Sequence, residues 1–186
     1  MLHIINNEPS TDFLIIVTAI LCNLLLEFSP AKVHLLNSGI VEKLVLLSDY
    51  EESSLKLNCV WALMNLTYQC EDKIKTTVIN TFGLNRILKH INEANSLLLL
   101  KTLGLLRNLL CNSNHIGLLM TKHSKELLDS LCLVLKNNTS TEIKEQVLCI
   151  LGNIASTCQY DYITSNSAVM GILCELLVSN FFSNHK

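Results

Sequence analysis

An all-α solenoid is the fold this sequence predicts, and two observations predict it. Four times an asparagine follows an apolar stretch at the same point of a helical pattern: Ala-Ile-Leu-Cys-Asn23-Leu, Trp-Ala-Leu-Met-Asn65-Leu, Gly-Leu-Leu-Arg-Asn108-Leu and Cys-Ile-Leu-Gly-Asn153-Ile. The intervals are 42, 43 and 45 residues, and a recurrence of roughly 40–47 residues in helical sequence marks stacked units of two or three helices. The second observation is compositional. Apolar residues make up 49% of the 186-residue chain but aromatics only 5%, a leucine-rich balance that suits helix-on-helix packing better than a sheet sandwich.

The elements repeat in phase with the asparagines. Thr11 to Leu26 reads as a long helix. Ser29-Pro30 supplies an N-cap followed by proline at the first helical position, so a short helix runs to Ser38, where Gly39 provides a left-handed stop. Ile40 to Leu47 is a second short helix, Ser48 to Glu52 a polar loop, and Ser53 or Ser54 caps a long helix through Gln69. The cycle restarts with Asp72 to Thr81, a break at Phe82-Gly83, Leu84 to Ile91, and a long helix capped by Asn95 or Ser96 and ending at Leu110. A third cycle holds Ile116 to Lys122, Lys125 to Lys136, and Thr141 to Ser156 with Thr141 as cap. Tyr160 to Asn166 and Ala168 to Val178 open another. Short helix, second helix, long helix is the armadillo order rather than the two-helix HEAT order. The prediction is a right-handed superhelical armadillo solenoid of about three complete three-helix repeats (residues 29–70, 71–112 and 113–158) with partial repeats at 11–28 and 159–180. Residues 11–180 form a single domain in this reading, between tails at 1–10 and 181–186. The apolar ends, Phe13 to Val17 and Phe181-Phe182, lack the polar caps of a free-standing solenoid, which predicts one stretch of a longer array.

Composition and motifs restrict the function. A net charge of −2 gives no electrostatic footprint for nucleic acid or an anionic membrane. The longest apolar run, Phe13 to Leu26, is too short to span a bilayer and is interrupted by Asn23. With Glu8 and Asp12 before it and no Lys or Arg, it is a core helix rather than a signal peptide. The eight cysteines are scattered singly with no Cys-x-x-Cys and no Cys/His zinc spacing, which predicts free thiols in a reducing compartment, cytoplasm or nucleus. No metal or cofactor is expected, and all six histidines read as solvated surface residues. No catalytic fingerprint occurs: neither His-Glu-x-x-His, Gly-x-Ser-x-Gly, a phosphate loop nor a dinucleotide motif. The chain is therefore read as non-catalytic.

The candidate site lies on the long helices. Residues four apart share a helix face, so Asn58, Trp61 and Asn65 form one stripe, Lys101, Gly104 and Asn108 the next, and Gln146, Cys149 and Asn153 the one after. An amide offers a donor pair and an acceptor to a peptide backbone, and tryptophan is favoured at binding hot spots. The predicted partner-binding groove is Trp61, Asn65, Lys101, Arg107, Asn108, Gln146 and Asn153. An equally weighted reading has the asparagines bonding neighbouring backbone and locking adjacent repeats, and the two roles can coexist.

Four blocks carry a closer likeness: Leu21-Cys-Asn-Leu-Leu-Leu-Glu-Phe-Ser-Pro30, Trp61-Ala-Leu-Met-Asn65, Lys101-Thr-Leu-Gly-Leu-Leu-Arg-Asn-Leu-Leu110 and Lys144-Glu-Gln-Val-Leu-Cys-Ile-Leu-Gly-Asn-Ile-Ala155. From about Leu14 to Leu177 the chain resembles the C-terminal half of the armadillo repeat-containing protein 8 family. The resemblance implies a non-catalytic scaffold subunit of the CTLH/GID ubiquitin ligase. In that family the solenoid links a substrate receptor to the ligase core and holds the receptor's tail on its concave face. The matching rungs here are Trp61, Asn65, Lys101, Asn108 and Asn153. The alternative is a nuclear-import-adaptor-like or other peptide-binding armadillo protein. Import adaptors repeat the tryptophan and flank it with acids, whereas here that position holds Ala19, Trp61, Gly104 and Cys149 in turn. Lys101 and Arg107 make the middle of the surface neutral to basic, which suits a neutral or acidic tail.

Overall fold

A computed structural model describes residues 10–111, 116–156 and 160–183, in which every regular element is a helix. The chain divides into two compact units, Met1–Leu109 and Leu110–Lys186. The expected repeat boundaries at 112–113 and 158–159 lie outside the described residues.

Unit 1 holds α1 (Thr11–Leu24), α2 (Lys32–Asn37), α3 (Ile40–Leu47), α4 (Ser53–Thr67), α5 (Asp72–Ile91) and α6 (Ser96–Leu110). α1, α4 and α6 are the long helices. Side-chain oxygens cap them: Ser10 Oγ accepts from the Phe13 amide at 3.4 Å, and Asn95 Oδ1 from the Leu97 and Leu98 amides at 3.0 Å each. At α4 the cap is Glu52, whose Oε1 accepts from the Ser54 amide at 3.2 Å, rather than either expected serine. The carboxylate adds a favourable charge at the helix N-terminus. α2 starts later than the Ser29-Pro30 pair suggests, because Ser29 Oγ turns onto the Ala31 amide at 3.3 Å instead of capping the helix. Gly39, at φ 72° and ψ 36°, makes the expected left-handed stop between α2 and α3. Gly83, at φ 76° and ψ 155°, breaks α5 into its two expected segments. That conformation is open almost exclusively to glycine.

The core of unit 1 is a leucine seam: Leu21, Leu25, Leu44, Leu55, Leu63, Leu66, Leu103 and Leu106 are all fully buried. Each such side chain contributes about 1.5–3 kcal/mol by burial. Two ion pairs tie consecutive repeats. Arg86 forks onto Asp49 with Nε–Oδ1 and Nη2–Oδ2 both at 2.8 Å. Lys56 Nζ meets Glu93 Oε2 at 2.9 Å, and Glu93 Oε1 also meets His90 Nδ1 at 3.0 Å. His90 is 1% exposed, which corrects the expectation of a solvated surface residue. Its ring lies 5.7 Å from that of Phe82, and the second helix of the repeat turns it inward.

Unit 2 holds α7 (Ile116–Asn137), α8 (Thr141–Ala155), α9 (Tyr160–Thr164) and α10 (Ser167–Ser183). α7 is broken at His123 (φ −138°, ψ 15°), so two expected helices run on as one kinked element. Ser140, one residue before the expected Thr141, caps α8 through a 3.4 Å bond from the Ile143 amide. Asn166 Oδ1 accepts from the Val169 amide at 3.1 Å and starts α10, which continues past Val178. Leu127, Leu131, Val147, Ile150 and Ile154 form its buried centre.

Candidate functional site

The asparagines of unit 1 bond from each long helix to the one before it, in one register. Asn65 Nδ2 donates to the Cys22 carbonyl at 2.8 Å, and Asn108 Nδ2 to the Met64 carbonyl at 2.9 Å. In each case the acceptor is the residue immediately preceding the asparagine's counterpart on the earlier helix, Asn23 or Asn65. Both acceptors lie in the last turn of their helix, where carbonyls lack a backbone partner, although Thr67 Oγ1 also donates to the Met64 carbonyl at 3.0 Å. The amide of one repeat thus completes the helix end of the previous one. Asn58, two turns before Asn65, repeats the geometry with Nδ2 at 3.0 Å from the Ile15 carbonyl and 3.3 Å from Thr18 Oγ1. This third rung carries the same spacing signal and was not among the predicted site residues.

These bonds use one amide hydrogen each. Asn65 and Asn108 are half-buried, and no other described residue engages their Oδ1 atoms. The locking role is occupied, and the acceptor half of each amide is left over.

Lys101 stands where Asn58 stands one repeat earlier, but its ammonium lies 4.0 Å from the centroid of the Trp61 ring. A cation over an indole face is worth about 0.5–2 kcal/mol, the larger figure when desolvated. Trp61 and Lys101 are both half-buried, so the pair presents an apolar plate topped by a positive charge. Gly104, the counterpart of Trp61 on α6, allows α4 and α6 to approach: a Cβ there would lie 2.7 Å from Met64 Sδ. Tyr68, 45% exposed, continues the Trp61–Asn65 stripe by one turn. It is followed by Gln69 at φ 46°, a left-handed residue that ends the helix. Tyr68 is a further candidate; its place three residues after Asn65 was the signal.

The structure therefore brings Trp61, Asn65, Lys101 and Asn108 together in unit 1. Arg107 is half-buried one turn after Gly104 on α6. Gln146 and Asn153 belong to unit 2, both half-buried on α8, with Leu148 and Cys149 exposed beside them. The acid–base chemistry of the surface is plain. Burial pushes the Cys22 thiol up to about 11 and raises Cys59 further, so neither supplies a thiolate nucleophile. Among the described residues no group of three metal-ligating side chains comes together, and no helix is long and apolar enough to cross a membrane. What the face can do is hold an extended chain: amide oxygens for backbone N–H groups, an aromatic plate for an apolar side chain, and a lysine for a carboxylate.

Residues 42–181 match the family model of the VID28/GID5 C-terminal domain. The chain belongs to this family. Its VID28/GID5 relatives include armadillo repeat-containing protein 8 of Danio rerio, 40% identical over 155 residues, which covers 83% of this chain and 23% of that protein. The Mus musculus protein of the same name is 39% identical over 171 residues, or 91% of this chain and 25% of that one. GID complex subunit 5 of Schizosaccharomyces pombe is 24% identical over 152 residues, 81% of this chain and 19% of that protein. The chain thus spans about a quarter of the length of the vertebrate relatives it matches. Among solved structures, a designed armadillo repeat protein in complex with the peptide (KR)4 superposes with a TM-score of 0.72 at 18% identity, over 90% of this chain and 70% of that one. Computationally designed armadillo repeat proteins for modular peptide recognition give 0.71 at 16% identity, over 92% and 69%. These likenesses show the armadillo fold.

Proposed function

We propose that this chain is a non-catalytic interaction scaffold of a GID-type ubiquitin ligase, acting in the cytoplasm and nucleus. On its long-helix face it holds an extended partner segment, the tail of a substrate receptor, so that receptor-bound proteins reach the ligase core for degradation. Membership of the VID28/GID5 family supports the complex. The observation that supports the holding role is the Trp61–Lys101 plate beside asparagines that each spend one amide hydrogen on a helix end and keep their acceptor oxygen. Lys101 and Arg107 favour a tail that is neutral or acidic, because a basic tail would meet like charge.

The test is affinity purification of the tagged chain from its own cells, followed by mass spectrometry. Co-purification of RING-bearing ligase subunits and a receptor is the expected result. Recovery of transport receptors with basic cargo, or of no ligase subunit, would contradict the proposal.

A further inference from the structure

Trp61 is the one tryptophan of the chain. Its register position holds Ala19 on α1 and Gly104 on α6, so neither neighbouring long helix sets a bulky side chain beside the ring from that position. What lies over the ring comes from one turn earlier on α6. On α4 that earlier position is Asn58, whose amide reaches back to the Ile15 carbonyl and Thr18 Oγ1 of α1. Its counterpart on α6 is Lys101. The position aims a side chain at the preceding long helix, and the longer lysine carries its ammonium onto the Trp61 ring, 4.0 Å from the centroid.

Among the described residues no carboxylate pairs with Lys101: the acids in ion pairs are Asp49, Glu93 and Glu126, and none of them meets it. Its charge is not neutralised, and it stands over an indole, the aromatic face that holds a cation best. A second cation arriving on a ligand has two ways in. It displaces the ammonium, or it lies beside it and is repelled in a half-buried site that salt and water screen poorly. Net charge does not supply this repulsion, because the chain as a whole carries −2.

We propose that Lys101 is the specificity-determining residue of this face: it fills the cation site of Trp61 from within the chain and so excludes segments that would set a lysine or arginine on that ring. The segments admitted bring an uncharged or acidic side chain to Trp61. This role of Lys101 rests on the reading of the long-helix face as the one that holds a partner segment, and it names the residue that decides the segment's charge.

The emission of the single tryptophan reports what lies against its ring. The full chain is titrated at low salt with an acetylated, amidated Gly-Arg-Gly-Lys-Gly peptide, and Trp61 emission is followed together with the anisotropy of the labelled peptide. The unaltered chain is expected to show no saturable change in emission. Lys101→Asn puts the ladder residue at this position, and Lys101→Met keeps the stem without the charge. Each is expected to bind the peptide at least tenfold more tightly than the unaltered chain, with a saturable shift of Trp61 emission. Adding Trp61→Ala to either is expected to remove the gain in anisotropy. A saturable emission shift in the unaltered chain would overturn the proposal, and this arm needs no variant to fold. So would Lys101 variants with unaltered circular dichroism that gain nothing, or a gain that survives Trp61→Ala, which would assign the selectivity to bulk charge. None of these outcomes changes whether a receptor co-purifies with the unaltered chain, so the exclusion and the holding role fail separately.

Discussion

Two sets of ties in unit 1 join neighbouring repeats by different chemistry. Along the long helices the ties are neutral: Asn58, Asn65 and Asn108 each donate one amide hydrogen to a backbone carbonyl of the preceding helix. The other ties are ionic: Arg86 on α5 grips Asp49, and Glu93, just after α5, bridges His90 to Lys56 of the long helix α4. A neutral amide serves a fixed backbone geometry, repeats with the helix, and keeps an acceptor for a ligand. An ion pair adjusts to exposed, irregular loops but depends on pH and salt. The neutral set is thus the one fit to line a standing binding surface, and the ionic set fixes register.

The comparison breaks first at the ladder. Asn65→Ala combined with Asn108→Ala leaves the Cys22 carbonyl unpaired at about 1–3 kcal/mol, whereas the Met64 carbonyl keeps the Thr67 hydroxyl at 3.0 Å and adds less. Urea unfolding should show a loss of about 1.5–4 kcal/mol. A loss well under 1 kcal/mol would mean the amides do not lock the repeats.

A smaller effect is expected at the ionic chain. Lys56 and Glu93 are largely covered, at 13% and 28% exposure. Glu93→Gln should cost about 1–2 kcal/mol, between the exposed and buried regimes. An unchanged urea midpoint would remove this pair from the register.

The two sets should also separate on pH. Burial pulls the His90 pKa below its ordinary value, against the pull of Glu93 upward, and leaves Nε2 buried without a partner. Lys56 and Lys89 add to the lowering. The folded state therefore binds fewer protons than the unfolded chain below about pH 6.5. Stability should be constant above that value and fall as pH drops through it toward the folded pKa. His90→Gln should abolish the decline between pH 7.5 and 5.5, while the ladder variants keep it. A wild-type midpoint that is flat over this range would contradict the assignment. Below it, Asp49 adds to acid sensitivity: the Arg86 hydrogen bond holds its pKa down, so its contribution is lost only as pH falls through the folded carboxylate value.

The smallest effect is at Arg86–Asp49, whose side chains are 36% and 47% exposed. Arg86→Ala should cost about 0.2–1 kcal/mol at low salt and less at 1 M salt. A loss that does not shrink with salt would point to packing instead of charge.

Much of this was legible in the sequence because helical repetition is a local signal. The asparagine spacing, the glycine stops at Gly39 and Gly83, and the Asn95 cap all rest on short-range backbone chemistry. Less legible were features set by the next repeat. Asn58 falls on the Trp61–Asn65 stripe, but nothing local shows that its amide reaches a carbonyl of α1. His90 reads as surface because nothing near it in sequence reveals that Phe82 and the helix turn draw it inside. Lys101 sits at a ladder position, yet its distance to Trp61 depends on how α6 lies on α4. At His123 the backbone departs from helix without a glycine, so only two apolar runs marked the break. Which face of the asparagine amide is spent could not be read, since an amide suits backbone and ligand alike.

The central claim is that the Trp61–Lys101 plate holds the partner. Quantitative affinity purification of the full chain carrying Trp61→Ala and Lys101→Ala, set beside the unaltered chain, tests it most directly. The account predicts a loss of the receptor of tenfold or more with other ligase subunits retained, and circular-dichroism melting shifted by only a few degrees because both side chains are half-exposed. Equal recovery of the receptor by the folded double variant would contradict it.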